Sequence, residues 1–158
     1  MLLPLFGWPG EPGLIFTERR ADLRRHAGEI SFPGGRRDEG DADLAATALR
    51  EAEEEIGLDP ASVELSCSLP PISTFATGYR IHPFVGLIPD PRQLGLTPSP
   101  AEVETVLAFS LDVLRGGYAI RRLVRRGVVL HAPTYEVEGR LIWGATARIL
   151  GELLERLG

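Results

Sequence analysis

The chain contains no lysine: all 17 of its basic residues apart from histidine are arginine. That absence assigns no function, but others narrow the field. A single cysteine, Cys67, excludes an internal disulfide and fits a reducing compartment. Cys67 itself reads as a small buried strand residue. No run of about 20 apolar residues is present, so no membrane-spanning helix is expected. The opening MLLPLFGW lacks the basic region and cleavage site of a secretory signal. Nor is there a broad basic surface, since the net charge is −5, and nucleic acid is not an expected partner. Internal repeats, low-complexity tracts and linker-like stretches are also missing. What remains is a 158-residue chain with 44% apolar content, read as one cytoplasmic domain over residues 1–158 with a sizeable core.

Against this background two concentrations of charge stand out. Seven basic residues, Arg19, Arg20, Arg24, Arg25, His26, Arg36 and Arg37, fall within 19 positions. In an acidic protein such a cluster suits a small polyanionic ligand. The second is REAEEEIG at residues 50–57, with four glutamates in five positions. Like charges three and four apart on a helix repel by roughly 0.2–0.5 kcal/mol per pair. The macrodipole adds a penalty near the C-terminal end. A divalent cation would turn that repulsion into attraction.

The apolar pattern predicts the elements around these charges. LLPLF and GLIFTER read as strands joined by a turn, and EISF as a short strand stopped by Pro33, Gly34 and Gly35. DADLAATALREAEEEIGL reads as a helix with Asp41 or Asp43 as its N-cap and Gly57 at C′. Its expected buried stripe is Ala45, Leu49, Ala52 and Ile56. VELSCSL, ISTFATGY, RIHPFVGLI and EVETVLAFSL read as strands, with a proline-rich loop before the last. SLDVLRGG is a short helix or turn, and RGVVLHAPTYEVEGRLIW a hairpin turning near Glu138–Gly139. ATARILGELLERLG closes the chain as a helix with Ala147, Leu150, Leu154 and Leu157 on its apolar face. The expected fold class is α/β, a mixed sheet between helices. At about 100° per residue, Glu51, Glu54 and Glu55 lie within roughly 100° of one another and about 135° from the apolar stripe. Three hard oxygen donors on one face suit Mg²⁺ or Mn²⁺. Glu53 points elsewhere.

The segment GGRRDEGDADLAATALREAEEEIGL resembles the Nudix box, G-x5-E-x7-R-E-U-x-E-E-x-G-U with U apolar. Arg50, Glu51, Ala52, Glu54, Glu55, Gly57 and Leu58 match its second half. In the first half Gly35 lies fifteen residues before Arg50 instead of fourteen, and Ala42 stands at the general Glu position. The longer loop with GGRRD is similar to the coenzyme A pyrophosphatase branch. That branch also carries an upstream pattern, matched in IFTERRADLRRHAGEISFPGG at Thr17, Arg19, Arg24, Gly28, Phe32, Pro33, Gly34 and Gly35. Arg20 departs from it, where a small residue is usual. GYRIHPFVGLI, EVETVLAFSL and LIWGATARIL extend the likeness along the chain, while the segment before the first strand is short beside such relatives.

The resemblance implies a Nudix-like α/β/α sandwich and metal-dependent cleavage of a pyrophosphate. It implies Glu51, Glu54 and Glu55 as ligands of Mg²⁺ or Mn²⁺, with Arg50 orienting them by ion pairing. The general base is open between Glu51 and Glu102. Gly34 and Gly35 let the backbone pass close to the metal and supply N–H donors. Arg19, Arg24, His26 and Arg37 are the candidates for binding the substrate's phosphates, the 3′-phosphate of coenzyme A among them. The implied partner is a small molecule, not nucleic acid or a membrane, and a homodimer is compatible with it. Two rival readings are a Nudix pyrophosphatase acting on ADP-ribose or another nucleoside diphosphate derivative, and a non-catalytic Nudix-fold nucleotide sensor.

Overall fold

The computed structural model describes residues 1–7, 11–22, 28–74, 78–125 and 127–158, with the side chain of residue 125 left aside. Its centre is a six-stranded mixed sheet. Strands β1 (Leu2–Phe6) and β2 (Gly13–Arg19) pair antiparallel at Leu5–Leu14 and Phe6–Gly13. Strand β3 (Ile30–Ser31) pairs β2 further along, with Ser31 opposite Thr17. Strand β8 (Val103–Ser110) runs antiparallel to β2 over its whole length, so β1 and β3 share the opposite edge. On the far side of β1 lies β7 (Phe84–Leu87), parallel to it, and then β4 (Glu64–Ser68), antiparallel to β7.

Successive side chains of a strand point to opposite faces, and the core divides accordingly. Leu2 and Ile15 face helix α1 (Leu44–Ile56) and pack with Ala48, Ala52 and Ile56. Leu3, Leu14, Phe16 and Phe109 face the other way. They pack with Ile149 and Leu150 of helix α3 (Gly144–Leu157) and with Tyr135 and Ile142 of a second sheet. That sheet joins β9 (Tyr118–Arg125), β10 (Val128–Val137) and β11 (Arg140–Ile142) in the order β11-β10-β9. The short helix α2 (Leu111–Gly116) connects β8 to β9. The expected sheet between helices is therefore present, with a three-stranded sheet beside α3 on one face. Phe16 and Phe32 stack at 4.5 Å between ring centroids inside this layer.

Several expectations need correction. RIHPFVGLI is not one strand. Pro83 has no N–H to donate to a ladder, and the segment splits into β6 (Arg80–Ile81) and β7. Of the described residues of ISTFATGY only β5 (Ile72–Ser73) is strand, closed on β6 by the Thr74 N–H donating to the Tyr79 carbonyl at 2.9 Å. Residues 75–77 lie outside the described part. Cys67 is exposed, because β4 is an edge strand whose five side chains all reach solvent. The buried line of α1 runs through Ala48, Ala52 and Ile56, with Ala45 and Leu49 only half-buried; it is turned about 30° toward the glutamates. In α3, Leu157 is exposed while Ile149 and Leu153 are buried, so the apolar arc is wider than a single stripe.

The β1–β2 hairpin depends on a missing side chain. A Cβ at Gly13 would lie 2.5 Å from the Phe109 carbonyl oxygen and 2.4 Å from the Phe6 ring. Gly13→Ala is expected to destabilise the fold by about 1–3 kcal/mol, read as a lower urea midpoint with an unchanged slope.

Candidate active site

Helix α1 starts and stops where its sequence directs. The Asp43 carboxylate accepts the Ala46 N–H at 2.8 Å, and Gly57 ends the helix at φ 67°. This fixes the rotation of the glutamates about the axis, and their burial grades accordingly. Measured from the buried line, Glu55 lies about 60° away, Glu51 about 100° and Glu54 about 160°. Glu55 is buried at 6% exposure, Glu51 is half-buried and Glu54 is exposed. Glu53 is exposed, as expected.

Glu55 reaches under the turn that follows β3, where its Oε2 accepts the Gly34 N–H at 3.0 Å. Burial pushes its carboxyl up to about 7; the charges of Glu51 and Glu102 act in the same direction, against the Gly34 hydrogen bond and Arg19. Burial also raises Glu51, with Arg50 opposing. The Glu51 carboxylate passes so close to Gly35 that a Cβ there would lie 2.3 Å from Oε1. Glycine at 35 is what admits that carboxylate.

Arg50 organises the outer half of the site. Its Nε and Nη2 donate to the two Asp41 oxygens at 2.9 and 3.0 Å, Nη1 donates to Glu54 at 3.0 Å, and Nη2 also donates to the Arg36 carbonyl at 2.9 Å. Glu51 lies 3.3 Å from the same guanidinium. Asp41 also accepts the Asp38 N–H at 2.9 Å and the Thr47 hydroxyl at 2.8 Å. The Arg50 fork is the main cause holding the Asp41 carboxyl well below the usual range, and Asp41 in turn raises Arg50. Sequence reasoning missed this role and considered Asp41 only as a cap. A nearby signal was present: Asp41 directly precedes Ala42, the position where the general motif has its glutamate.

Opposite, Arg19 at the end of β2 lies 4.0 Å from Glu55 and 3.5 Å from Glu102. A register shift at Glu18/Arg19 sets Val103, not Glu104, opposite Arg19 and so brings Glu102 beside it. Two of the expected substrate contacts are thus engaged elsewhere. Arg19 faces carboxylates, and Arg37 donates to the Asp41 and Ala42 carbonyls at 3.1 and 3.3 Å. Arg24 and His26 lie outside the described residues. Among the described residues, no three acidic, histidine or cysteine side chains converge as a ready-made metal cluster. Glu54 in particular is turned onto Arg50, away from Glu55.

Residues 5–126 match the NUDIX domain family. The chain belongs to the Nudix family. A relative described as an uncharacterised Nudix hydrolase, NudL of Escherichia coli O1:K1, is 39% identical over 160 residues, covering all of this chain and 81% of its own length. The Nudix domain of Shewanella oneidensis NrtR, solved with ADP ribose, superposes with a TM-score of 0.61 at 17% identity over 99% of this chain and 85% of its own. A MutT protein of Methanosarcina mazei Go1 gives 0.60 at 18% identity, over 99% and 91%. These two likenesses concern the fold. The chain is thus a Nudix hydrolase, and its family's chemistry is pyrophosphatase cleavage of nucleoside diphosphate derivatives.

Nudix hydrolases use divalent ions such as Mg²⁺ or Mn²⁺, and the donor set here fits one. It is all carboxylate oxygen, it includes a buried carboxylate that its own surroundings compensate poorly, and Gly35 leaves the approach open. A pH dependence follows for the metal-free protein. The Glu55 carboxyl stands at about 7 when folded, against 4.5 ordinarily. Between those values only the folded state keeps the proton, so the Glu55 contribution to stability falls as pH rises, by about 3 kcal/mol. Asp41, held low, acts oppositely: its contribution is lost as pH falls below its ordinary value of 3.8. Urea unfolding in chelator is expected to show the stability of wild type relative to Glu55→Gln falling between pH 5 and pH 8.

Proposed function

We propose that this Nudix hydrolase cleaves the pyrophosphate of coenzyme A, releasing adenosine 3′,5′-bisphosphate and 4′-phosphopantetheine. The observation that carries the reading is the stretch from Thr17 to Gly35, which follows the coenzyme A pyrophosphatase pattern and is built into the carboxylate site. Within it the Gly28 N–H donates to the Arg19 carbonyl at 3.1 Å, and past β3 the chain reaches the Gly34 N–H that holds Glu55.

In this reading Glu51, Glu54 and Glu55 hold the ion. When bound, Mg²⁺ or Mn²⁺ neutralises the pyrophosphate and lowers the pKa of water. The chain's own groups do the rest. Asp41 fixes Arg50, and Arg50 fixes Glu51 and Glu54. Gly34 fixes Glu55. Glu51 or Glu102 takes the proton from the attacking water. Arg24 and His26 bind the 3′-phosphate, while Arg37 shapes the loop that carries it. Acyl-coenzyme A esters are also substrates, because the thioester is remote from the cleaved bond. Residues 1–158 act as one catalytic domain in the cytoplasm.

One observation favours a second reading. With Arg19 and Arg37 engaged by the protein, fewer cations are left for a 3′-phosphate, and ADP-ribose has none. Incubation with coenzyme A, dephospho-coenzyme A and ADP-ribose, with and without Mg²⁺ or Mn²⁺, separates the cases. Metal-dependent release of adenosine 3′,5′-bisphosphate, with coenzyme A preferred over its dephospho form, is expected. Preference for ADP-ribose would replace the substrate and keep the site; binding without cleavage would point to a sensor.

A further inference from the structure

Two arginines serve the carboxylates, and they are held very differently. Arg50 makes four hydrogen bonds between 2.9 and 3.0 Å, a fork that charge-assisted geometry locks. Arg19 has no such fork. Its Nη1 stands 3.5 Å from Glu102 and 4.0 Å from Glu55, and its buried Nε has no hydrogen-bond partner among the described residues. Its backbone, in contrast, is fixed: its N–H donates to the Glu29 carbonyl at 3.0 Å and its carbonyl accepts the Gly28 N–H at 3.1 Å. The guanidinium is thus a single positive charge on an anchored stem, loosely seated between two carboxylates. One unit of charge undercompensates that group, and a divalent ion would compensate it better.

We propose that Arg19 is the resident counter-cation of this site, balancing Glu55 and Glu102 in the metal-free protein and competing with the divalent ion for Glu55. Binding of the ion releases the guanidinium from the carboxylates, and the freed fork faces the substrate's phosphates. The exchange rests on the metal-site part of the proposed function and not on the identity of the nucleotide. Arg19 is accordingly a positioning residue in the metal-free protein and a ligand of anions only after exchange.

The test uses Mn²⁺ alone, without substrate, at pH 8.5, where proton competition for the carboxylates is small. Calorimetric titration is expected to show Arg19→Gln binding Mn²⁺ about tenfold more tightly than wild type, because the internal competitor is gone. Arg19→Lys, which keeps the charge, should stay within roughly threefold of wild type. A second measurement needs no variant to fold well: in ¹⁵N-arginine-labelled wild type, the Arg19 Nε–H resonance should shift as Mg²⁺ is added. Equal or weaker Mn²⁺ binding by Arg19→Gln, or an Arg19 resonance that Mg²⁺ leaves unmoved, would overturn the exchange. Tighter binding by Arg19→Gln in an enzyme that ignores coenzyme A would leave the exchange standing and remove only the substrate assignment.

Discussion

Replacing Glu55 with glutamine is expected to lower turnover about a thousandfold, roughly 4 kcal/mol of transition-state stabilisation, while making the metal-free protein more stable at pH 8. The two effects share one cause. The carboxylate is buried, and burial raises its proton affinity to about 7. At pH 8 the folded state therefore holds a charge that its surroundings disfavour. Glutamine removes the charge and retains an oxygen to accept the Gly34 N–H. It also removes the negative ligand that a divalent ion needs. Activity and stability move in opposite directions at such a site, as expected where a function is built on a disfavoured group. Steady-state kinetics with saturating Mg²⁺ and urea unfolding in chelator read the two halves. A variant that loses stability at pH 8 in step with activity would show that Glu55 is structural.

The second large effect is expected at Arg50→Lys, which keeps the charge and loses the fork. Lysine can reach one of the Arg50 partners but not Asp41, Glu54 and the Arg36 carbonyl together. Glu51 and Glu54 then lose their common anchor. Turnover is expected to fall about a hundredfold, in the range seen when groups behind a metal site are removed, with the required Mg²⁺ concentration rising. Asp41 loses the main cause of its low pKa. Its stabilising contribution is present above its ordinary pKa and lost below it, so the stability gap between wild type and Arg50→Lys should narrow as pH falls below about 4. A gap independent of pH would place the defect outside the Asp41 pair.

The helix carrying the glutamates was legible because its signals are local. Asp43, one of the two expected caps, caps it, Gly57 ends it, and a period of 3.6 separates Ala52 and Ile56 from Glu54. Contacts across the chain were not legible. Asp41 and Arg50 are nine residues apart but meet only because the loop folds back onto the first turn of the helix, and no periodicity encodes that. The pairing of Arg19 with Glu102 spans 83 residues and depends on a register shift in β8. Strand β9 was missed altogether. Arg121–Arg122 interrupts its apolar alternation, and Ile120 and Val124 stay exposed. Its strand character comes from pairing with β10, from Tyr118–Tyr135 to Arg125–Val128. Cys67 was misplaced for a related reason, since only the sheet order shows β4 to be an edge.

The most direct test is Mn²⁺ binding at pH 8, followed by electron paramagnetic resonance in wild type and in the Glu51→Gln/Glu55→Gln double variant. Wild type is expected to deplete the free Mn²⁺ signal and the double variant to leave it as in buffer. A double variant that binds Mn²⁺ as wild type does would place the ion elsewhere and contradict a metal site on α1.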